Sequence, residues 1–518
     1  MSPSTHKKES SGNVVERSPI VVVLGHVDHG KSTLLDYIRK TNTTEKEAGG
    51  ITQHISAYEV IHKTSEGKEK RITFLDTPGH KAFSKMRERG ANLADVAILV
   101  VSGEDGVKEQ TLEVLKTIRE SDMPYVVAIS KIDKPNVDIG RIKQNLAEHE
   151  VLVEGYGGNT PSVPVSAKTG AGVSELLDMV LLVTELEELK GDPNVPAEGF
   201  VVESHVNPQQ GITATIILTN GTLKKGDYIG AENTCAPVRK IDAFLNHNAE
   251  EATFSSPVII TGFDTIPHVG AAIRSCKTKK EALQYIQNDT HRKARIPSAG
   301  SGADRRISID EVVVDQKDFF VPLILKADTT GSLEALEHEI SKLGESGSKL
   351  KIIQKGVGAI EEGDIKTAEG SRHALVLGFH VSLSKTAEKV AAQHDIAVNT
   401  FDIIYKLTEW LALEVKKRTP KVVVEEKAGS AKIIKIFSTA KGKQVAGGKV
   451  QEGEITVKSK VKIMRRGKPI AEGIILELQQ QKKKVGAVEA GLEFGALIES
   501  KYEIAPGDVI EVFRMVEK

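Results

Sequence analysis

A glycine-rich segment, GHVDHGKS (25–32), lies between the apolar run Ile20–Leu24 and the helix-like stretch LLDYIRK. It matches the pattern G-x-x-x-x-G-K-[ST], in which glycines let backbone amides and a helix N-terminus point at phosphate oxygens. Lys31 is expected to reach the outer phosphates, and the Ser32 hydroxyl is a hard oxygen ligand for Mg²⁺. An ordinary glycine-rich turn is the alternative, but the position between a strand and a helix favours phosphate binding.

The segment DTPGH (76–80) extends the chemistry to the terminal phosphate. Asp76 ends a strand-like run, as a residue that holds Mg²⁺ through water should. Pro78 and Gly79 predict a turn, and the Gly79 amide can contact a γ-phosphate. Because hydrolysis removes only that phosphate, a loop at this position can sense it.

Two more segments predict the base. In SKID (130–133), Asp133 can accept hydrogen bonds from guanine N1 and N2, donors that adenine lacks in that arrangement, and the stem of Lys131 can pack along the base. SAK (166–168) follows a strand and can supply backbone amides to the guanine carbonyl. All four segments occur in order, each after a strand, and together they predict a GTP site.

The elements that must position these segments divide the chain into several domains, as 518 residues exceed one core. Residues 18–190 alternate β-branched runs with helical patterns, which predicts a mostly parallel sheet covered on both faces. The predicted order is a disordered lead-in (1–17), a P-loop α/β domain (18–190), a β-barrel (191–278), a helix and flexible linker (279–309), a three-layer α/β/α domain (310–401), a connecting helix (402–419) and a second, C-terminal β-barrel (420–518).

Composition favours a protein that works in a reducing compartment. The chain has two cysteines, Cys235 and Cys276, and we expect both to be reduced and to pack as small apolar residues. No apolar run approaches 18 residues, and residues 1–17 resemble neither a secretory signal nor a transit peptide, so we expect a cytoplasmic protein without a membrane partner. Residues 420–518 carry 19 Lys and Arg against 13 Asp and Glu. This basic balance fits RNA binding and a solvated surface equally well.

Four motifs and their surroundings resemble the bacterial translation initiation factor 2 family. They are GHVDHGKST, AGGITQHI (48–55), FLDTPGHKAF (74–83) and SAKTGAGV (166–173). The similarity continues through VVESHVNPQQGITAT, LILKADTTGSLEAL, GVGAIEEGDI and APGDVIEVF, and covers nearly the whole chain beyond residue 18. The α/β segment in the middle is the specific part, since elongation factor Tu and its close relatives lack it.

The resemblance implies roles that spacing does not reveal. Thr52 would bind Mg²⁺ together with Ser32 and Asp76, and His80 would position or polarise the attacking water as the catalytic residue. Val27 and Ile51 would form an apolar gate before His80, and Asp28 would help to bind a monovalent cation, K⁺ or Na⁺. The implied GTP-binding residues are Gly25, His26, Val27, Asp28, His29, Gly30, Lys31, Ser32, Thr33, Thr52, Asp76, Gly79, Ser130, Lys131, Asp133, Ser166, Ala167 and Lys168.

The implied partners are the small and large ribosomal subunits and initiator (formylmethionyl) tRNA, bound by a monomer. In the implied cycle, the GTP-bound protein promotes binding of initiator tRNA to the small subunit and then subunit joining. Ribosome-stimulated hydrolysis to GDP and phosphate follows, and loss of the γ-phosphate frees the switch segments. The C-terminal barrel would bind the tRNA.

The sequence departs from the family pattern at the base site and in the terminal barrel. Ser130 stands where the family has an asparagine that bonds guanine N7 and braces neighbouring loops, so we expect weaker nucleotide binding with guanine preference retained. Gly448 and Phe494 replace two cysteines near the formylmethionyl site, and Gln479–Gln481 replace a basic stretch. The remaining candidates for tRNA contact are Lys482, Lys483, Lys484, Glu493 and Phe494, although Phe494 also fits a core position. Many members of the family carry long N-terminal extensions, and we expect this protein to have almost none.

Two other function classes share some of these features. An elongation-type GTPase that carries aminoacyl tRNA would have the nucleotide domain and a barrel, but not the separate α/β unit at Asp310–Thr400. A non-translational assembly module that uses GTP as a timer would need no tRNA binding. A preference for initiator tRNA would separate the first from an initiation factor, and ribosome-stimulated hydrolysis would separate the second.

Overall fold

The computed structural model describes residues 14–41, 52–243, 247–295, 320–345, 350–371, 374–418, 423–440 and 442–517. It divides into two compact units, Met1–Lys416 and Lys417–Lys518. Within the described ranges, no helix is long and apolar enough to cross a membrane. Cys235 and Cys276 are both free thiols, as expected.

The first domain contains a six-stranded sheet covered by helices and a separate two-stranded sheet. Its strands are β1 (Val15–Glu16), β2 (Ile20–Gly25), β3 (Ser56–Lys63), β4 (Glu69–Asp76), β5 (Val96–Ser102), β6 (Tyr125–Ser130), β7 (Ser162–Pro164) and β8 (Lys190–Gly191). Its helices are α1 (Lys31–Arg39), α2 (Ser84–Leu93), α3 (Glu109–Glu120), α4 (Ile139–Glu148) and α5 (Val173–Leu186), with a 3₁₀ turn at Lys81–Phe83. The strand order is β3-β4-β2-β5-β6-β7, and only β3 in this sheet runs antiparallel to its neighbour.

The apolar runs of this sheet are continuous because both faces are buried. In β2, Val21 and Val23 pack on the side of α1 and α5, whereas Val22 and Leu24 pack on the side of α2 and α3. The strands β2, β4 and β6 all deliver their carboxyl ends to one edge, which is where a doubly wound sheet binds ligands. The predicted P-loop α/β domain is thus confirmed.

The N-terminal lead-in is partly ordered. Strand β1 pairs antiparallel with β8, with Val15 opposite Gly191. Arg17 Nη1 donates to Asp95 Oδ2 at 2.7 Å, which ties the chain to the start of β5. The disordered lead-in predicted over residues 1–17 is therefore wrong for residues 14–17, and residues 1–13 lie outside the described residues.

The second domain is antiparallel β-structure around one aliphatic core. Its strands are β9 (Glu198–Asn207), β10 (Gly211–Asn220), β11 (Thr222–Lys224), β12 (Tyr228–Ala231), β13 (Thr234–Pro237), β14 (Ile241–Ala243), β15 (His247–Ala249), β16 (Glu251–Thr253), β17 (Pro257–Thr261) and β18 (Ala272–Cys276). Helix α6 (Lys279–Arg295) follows and packs Ala282 and Ile286 beside Cys235. The flexible linker predicted after it lies outside the described residues.

The third domain is a parallel four-stranded sheet in the order β20-β19-β21-β22. Its elements are β19 (Val321–Ala327), α7 (Thr330–Glu345), β20 (Leu350–Val357), α8 (Glu362–Glu369), β21 (Leu375–Phe379), α9 (Lys385–Gln393), β22 (Val398–Phe401) and α10 (Ile404–Arg418). Helices α7 and α10 cover the face that presents Leu323 and Leu325, and helices α8 and α9 cover the face that presents Ile324 and Val376. The predicted three-layer α/β/α arrangement and the helix that follows it are confirmed.

The C-terminal unit contains a six-stranded antiparallel barrel and two additional short strands. Its strands are β23 (Val423–Ala440), β24 (Lys443–Thr456), β25 (Lys460–Arg465), β26 (Lys468–Gln480), β27 (Lys483–Lys484), β28 (Ala487–Glu489), β29 (Glu493–Ser500) and β30 (Val509–Glu517). The order β23-β30-β25-β26-β29-β24 closes because β24 also pairs with β23. The predicted second barrel is confirmed, whereas the residues at which we divided the chain into domains stay predictions.

Candidate nucleotide-binding site

The glycine-rich loop turns sharply between β2 and α1. Gly30 has a φ of 88°, in the left-handed region that favours glycine, and it immediately precedes the helix. Lys31 Nζ donates to the carbonyl oxygens of Gly25 at 2.9 Å and His26 at 2.6 Å, which holds the ammonium inside the loop. Burial lowers the pKa of Lys31 to about 8, so a bound anion would stabilise its charged form. The loop and its lysine are arranged to receive phosphate oxygens.

Gly79 lies close to the same lysine. A Cβ at this position would come within 2.6 Å of Lys31 Nζ and 3.3 Å of Val27 Cγ2. Any larger residue at this position would require Lys31 or Val27 to move. The close approach places Gly79 beside the cation that is expected to reach the outer phosphates.

Three oxygen-bearing side chains converge next to the lysine. Ser32 Oγ and Thr52 Oγ1 are 2.8 Å apart, although 20 residues separate them in the chain. Asp76, at the end of β4, is buried and interacts electrostatically with Lys31. Hydroxyl and carboxylate oxygens are the ligands that Mg²⁺ prefers, so the donor set fits the expected ion.

The base end of the site is preorganised by a serine. Ser166 Oγ donates to Asp133 Oδ1 at 2.7 Å, which orients the carboxylate. Hydrogen bonding from Ser166 lowers the pKa of Asp133. Lys131 has a φ of 62°, and its Nζ lies 3.5 Å from Glu104 Oε2. Lys131 and Asp133 line the same cavity as Ala167 and Lys168.

Ser130 fulfils one of the two roles expected of an asparagine at this position, the bracing of neighbouring loops. Its hydroxyl donates to the carbonyl oxygen of His29 at 2.5 Å, which fastens the end of β6 to the glycine-rich loop. The serine therefore braces this loop, as the asparagine of the family is expected to do. The missing bond to guanine N7 stays a prediction.

His80 follows the glycine turn and faces the cavity. The backbone N–H of Ala82 donates to His80 Nδ1 at 3.0 Å, so the neutral ring carries its proton on Nε2. Burial lowers the pKa of His80 to about 4. The imidazole packs edge-on against the ring of Tyr405, with the ring centroids 4.1 Å apart.

The cavity between these groups has a volume of about 390 Å³. It is lined by Val27, Asp28, Gly30, Lys31, Ser32, Thr33, Leu34, Thr52, Gly79, His80, Ser130, Lys131, Asp133, Lys134, Val165, Ala167, Lys168 and Tyr405. Most of the predicted residues are therefore together. Ile51, the second residue of the predicted gate, lies outside the described residues.

The side chain of His29 is buried away from the nucleotide cavity, so only its main chain can face the nucleotide. The imidazole is 1% exposed, and its Nδ1 accepts from the backbone N–H of Ser102 at 3.3 Å. Burial lowers its pKa to about 4. His26 packs against it, with ring centroids 4.9 Å apart. Neither ring lines the cavity, so these two predicted residues can contact nucleotide through main-chain atoms.

The candidate tRNA residues occupy one end of the C-terminal barrel. Gln481 and Lys482 have φ values of 50° and 67° and form the turn between β26 and β27, so Lys482 to Lys484 are exposed at a hairpin tip. Lys484 Nζ pairs with Glu477 at 2.9 Å. Glu493 is exposed and lies opposite Lys449.

Phe494 is a core residue, which corrects its selection as a tRNA contact. It is 5% exposed and packs among the aliphatic side chains of the barrel. It lies opposite Gly448 in the β24–β29 pair, and a Cβ on Gly448 would come within 2.9 Å of the phenyl ring. The ring fills the space beside the glycine and cannot stack on a nucleobase.

Comparisons with known proteins agree with this geometry. Residues 16–185 match the family described as the elongation factor Tu GTP binding domain, residues 196–276 match elongation factor G domain 2, and residues 300–412 match translation-initiation factor 2. Translation initiation factor IF-2 of Rubrobacter xylanophilus is 39% identical over 98% of this chain and 73% of its own length. The corresponding protein of Persephonella marina is 41% identical over 98% of this chain and 57% of its own length.

The chain belongs to the translation initiation factor 2 family. It is a translational GTPase, an enzyme that binds and hydrolyses GTP. Among solved structures, GDP-bound aIF5B from Aeropyrum pernix is 26% identical, with a TM-score of 0.45, and the match covers 96% of this chain and 92% of that one.

Several residues of this translational GTPase site were not found from the sequence. Tyr405 comes from α10, 325 residues after His80, and no local pattern marks it. Gln110 Oε1 accepts from the backbone N–H of Val27 at 3.0 Å. Arg87 is buried, donates to the carbonyl oxygens of Pro78 and His80, and pairs with Glu113 at 2.8 Å. A lone arginine or glutamine on a helix face gives no signal that it braces a loop.

Proposed function

We propose that this protein promotes the binding of initiator (formylmethionyl) tRNA to the small ribosomal subunit and the joining of the large subunit. Hydrolysis of GTP, stimulated by the ribosome, ends the cycle. We place this activity in the cytoplasm and assign it to a monomer. The observation that carries the proposal is the parallel α/β unit that follows the GTPase and β-domains in the same chain, because an elongation-type carrier has no expected use for it.

The GTP-bound state is recognised by the loops that meet at Lys31. Ser32, Thr52 and Asp76 would hold Mg²⁺, which neutralises phosphate charge when it is bound. Asp28, exposed at the mouth of the cavity, would help to hold K⁺ or Na⁺. Since Thr52 and Gly79 approach the cavity from two different segments, the γ-phosphate can hold both, and its loss releases both.

His80 acts as a positioning donor in this proposal. Its Nδ1 is occupied by the Ala82 amide, so the proton on Nε2 is the group that can point at the attacking water or a phosphate oxygen. With its pKa lowered to about 4, the ring is neutral at pH 7. It therefore orients water through a hydrogen bond instead of supplying positive charge.

The base end selects guanine and limits affinity. Asp133, oriented by Ser166, accepts from guanine N1 and N2, and Lys131, Ala167 and Lys168 surround the base. Ser130 keeps the loop in place but lies where a contact to N7 is expected. We therefore propose weaker nucleotide binding than an asparagine would give, with guanine preference intact.

Two measurements on the full chain test the function. Single-turnover GTP hydrolysis is followed with and without ribosomes, and filter binding compares initiator with elongator tRNA. We expect ribosomes to raise the rate, His80→Ala to lower the stimulated rate by about 100-fold or more, and GDP affinity to stay unchanged. Hydrolysis that does not respond to ribosomes, or equal binding of both tRNAs, contradicts the proposal.

A further inference from the structure

A cluster of titratable side chains lies apart from the nucleotide cavity, where three segments of the first compact unit meet. His54 follows Thr52 by two residues. Asp328 and His380 directly follow β19 and β21, two neighbouring parallel strands in which Ala327 pairs with Phe379. The carboxyl ends of such strands place the residues that follow them side by side. None of these three residues has a role in the nucleotide site.

The side chains of the cluster are within ligand distance of one another. His54 Nε2 lies 2.7 Å from Asp328 Oδ2, and His380 Nδ1 lies 3.4 Å from the same oxygen. One ligand atom from each of the three residues can be chosen so that all lie within 4.8 Å of one another. Two ligands at about 2.0–2.1 Å from a tetrahedral Zn²⁺ are separated by roughly 3.4 Å, so small side-chain shifts suffice.

His380 is oriented so that its Nδ1 faces Asp328. Its Nε2 lies 2.6 Å from the carbonyl oxygen of Asp402, an acceptor, so Nε2 carries the proton of the neutral ring. The lone pair on Nδ1 then faces a carboxylate oxygen. Two acceptors at 3.4 Å need a cation or a proton between them. A histidine that donates one ring N–H to a carbonyl is also the usual arrangement of a metal ligand.

Glu203 lies close enough to this cluster to interact electrostatically with His54 and Asp328. It lies on β9, two residues before His205, which pairs with Thr329 next to Asp328. Its Oε1 is buried and has no hydrogen-bond partner among the described residues. A buried carboxylate oxygen therefore lies near the cluster, outside the group of three ligand atoms.

We propose that His54, Asp328 and His380 bind a divalent transition-metal ion, with Zn²⁺ as the best match. Two imidazole nitrogens and a carboxylate are a common zinc ligand set, and water would complete four-coordination. Mg²⁺ does not compete well, because it prefers oxygen ligands in octahedral geometry. This site goes beyond translation initiation, and its test involves neither nucleotide nor ribosomes.

The metal would fasten the segment after Thr52 to the α/β/α domain. Gln53 Nε2 donates to the carbonyl oxygen of Asp402 at 2.9 Å, so Gln53 and His380 already share one acceptor. A metal bond to His54 would add a stronger link at the neighbouring residue. Hydrogen exchange of residues 52–58 should therefore slow when the ion binds.

The experiment uses the full chain without a polyhistidine tag, stripped with a chelator and desalted. Zn²⁺ is titrated against a chromophoric competitor at pH 7.5. We expect one site with a Kd below about 1 μM, and at least a tenfold weaker Kd in His380→Asn, His54→Asn and Asp328→Asn. His394→Asn is the matched control, because His394 lies in the same domain, outside the cluster, and pairs with Glu369 at 2.9 Å.

The structural readout is the spectrum of the wild-type protein loaded with Co²⁺ or Zn²⁺. Tetrahedral Co²⁺ absorption, and X-ray absorption of the zinc form with two imidazoles in the first shell, support the site even if a variant does not fold. Unchanged Zn²⁺ affinity in both His380→Asn and His54→Asn overturns the proposal. The proposal is also overturned if the wild-type protein binds no Zn²⁺ at about 100 μM. In that case a proton, and not a metal ion, lies between His380 and Asp328.

Discussion

The imidazole of His80 packs edge-on against the phenol ring of Tyr405, with centroids 4.1 Å apart, at the mouth of the nucleotide cavity. The two rings come from the loop after β4 and from the second residue of α10. The contact buries His80 and contributes to keeping its ring neutral. It also links the orientation of the proposed water-positioning residue to the helix that ends the α/β/α domain.

Removing the Tyr405 ring should expose the imidazole of His80 to solvent and let it move. In Tyr405→Ala, we expect the pKa of His80 to rise from about 4 toward its ordinary value, because the burial that lowers it is reduced. Hydrolysis of GTP without ribosomes should change by about fivefold or more, and an increase would mean that the ring restrains His80. Tyr405→Phe is the control, since it keeps the aromatic edge contact. If the alanine variant has the hydrolysis rate and the His80 titration of wild type, the contact has no influence on His80.

The hydroxyl of Ser130 makes a bond whose removal can be measured. Ser130→Ala deletes the donor to the His29 carbonyl and should lower the free energy of unfolding by about 1 kcal/mol, with weaker GDP binding. Ser130→Asn should tighten GDP binding about 3–10-fold, because an amide can serve both the loop and guanine N7. Calorimetric titration measures the GDP affinity of both variants, and titration with ADP shows whether the preference for guanine is kept. Equal GDP affinity in Ser130→Asn and wild type would refute the account of a missing contact.

The hairpin lysines of the C-terminal barrel predict a salt-dependent effect. Replacing Lys482, Lys483 and Lys484 by alanine should weaken initiator tRNA binding and reduce the slope of log K against log salt by about 2, since each phosphate contact contributes roughly 0.7–0.9. The control variant Arg466→Ala, Lys468→Ala removes cations from the other end of β26, roughly 40 Å away along a 13-residue strand. Identical slopes in the two variants would exclude the hairpin as the phosphate contact.

Acid should destabilise the nucleotide domain through His29. The folded-state pKa of about 4 lies below the ordinary value of 6.5, so the unfolded chain binds the proton more strongly. Stability from this residue is fully present above pH 6.5 and is lost as the pH falls toward 4, up to a limit of about 3 kcal/mol. In His29→Gln, the free energy of unfolding measured with urea should fall less between pH 7 and pH 5 than it does in the wild type. A loss as steep as that of wild type would assign the effect to other groups, such as His80.

Much of the nucleotide site could be predicted from the sequence because each motif spans only a few consecutive residues. The loop at 25–32, the turn at 76–80 and the segments SKID and SAK each follow their own strand, and parallel strands carry them to one edge. Reasoning from neighbouring residues alone gave the wrong role for Phe494. Its type and position fit nucleobase stacking, whereas the pleat of β29 directs it into the barrel beside Gly448.

The linear sequence predicted the chemistry of this protein: a phosphate loop, an aspartate for guanine, and a histidine placed one residue after the glycine turn. These features depend on spacing within a few residues, which strand and turn geometry converts directly into position. Only the tertiary structure decided which distant groups act on them. Tyr405 reaches His80, Ser130 reaches the loop carbonyl, and His54 meets Asp328 and His380 because packed domains bring together residues that local backbone geometry leaves far apart.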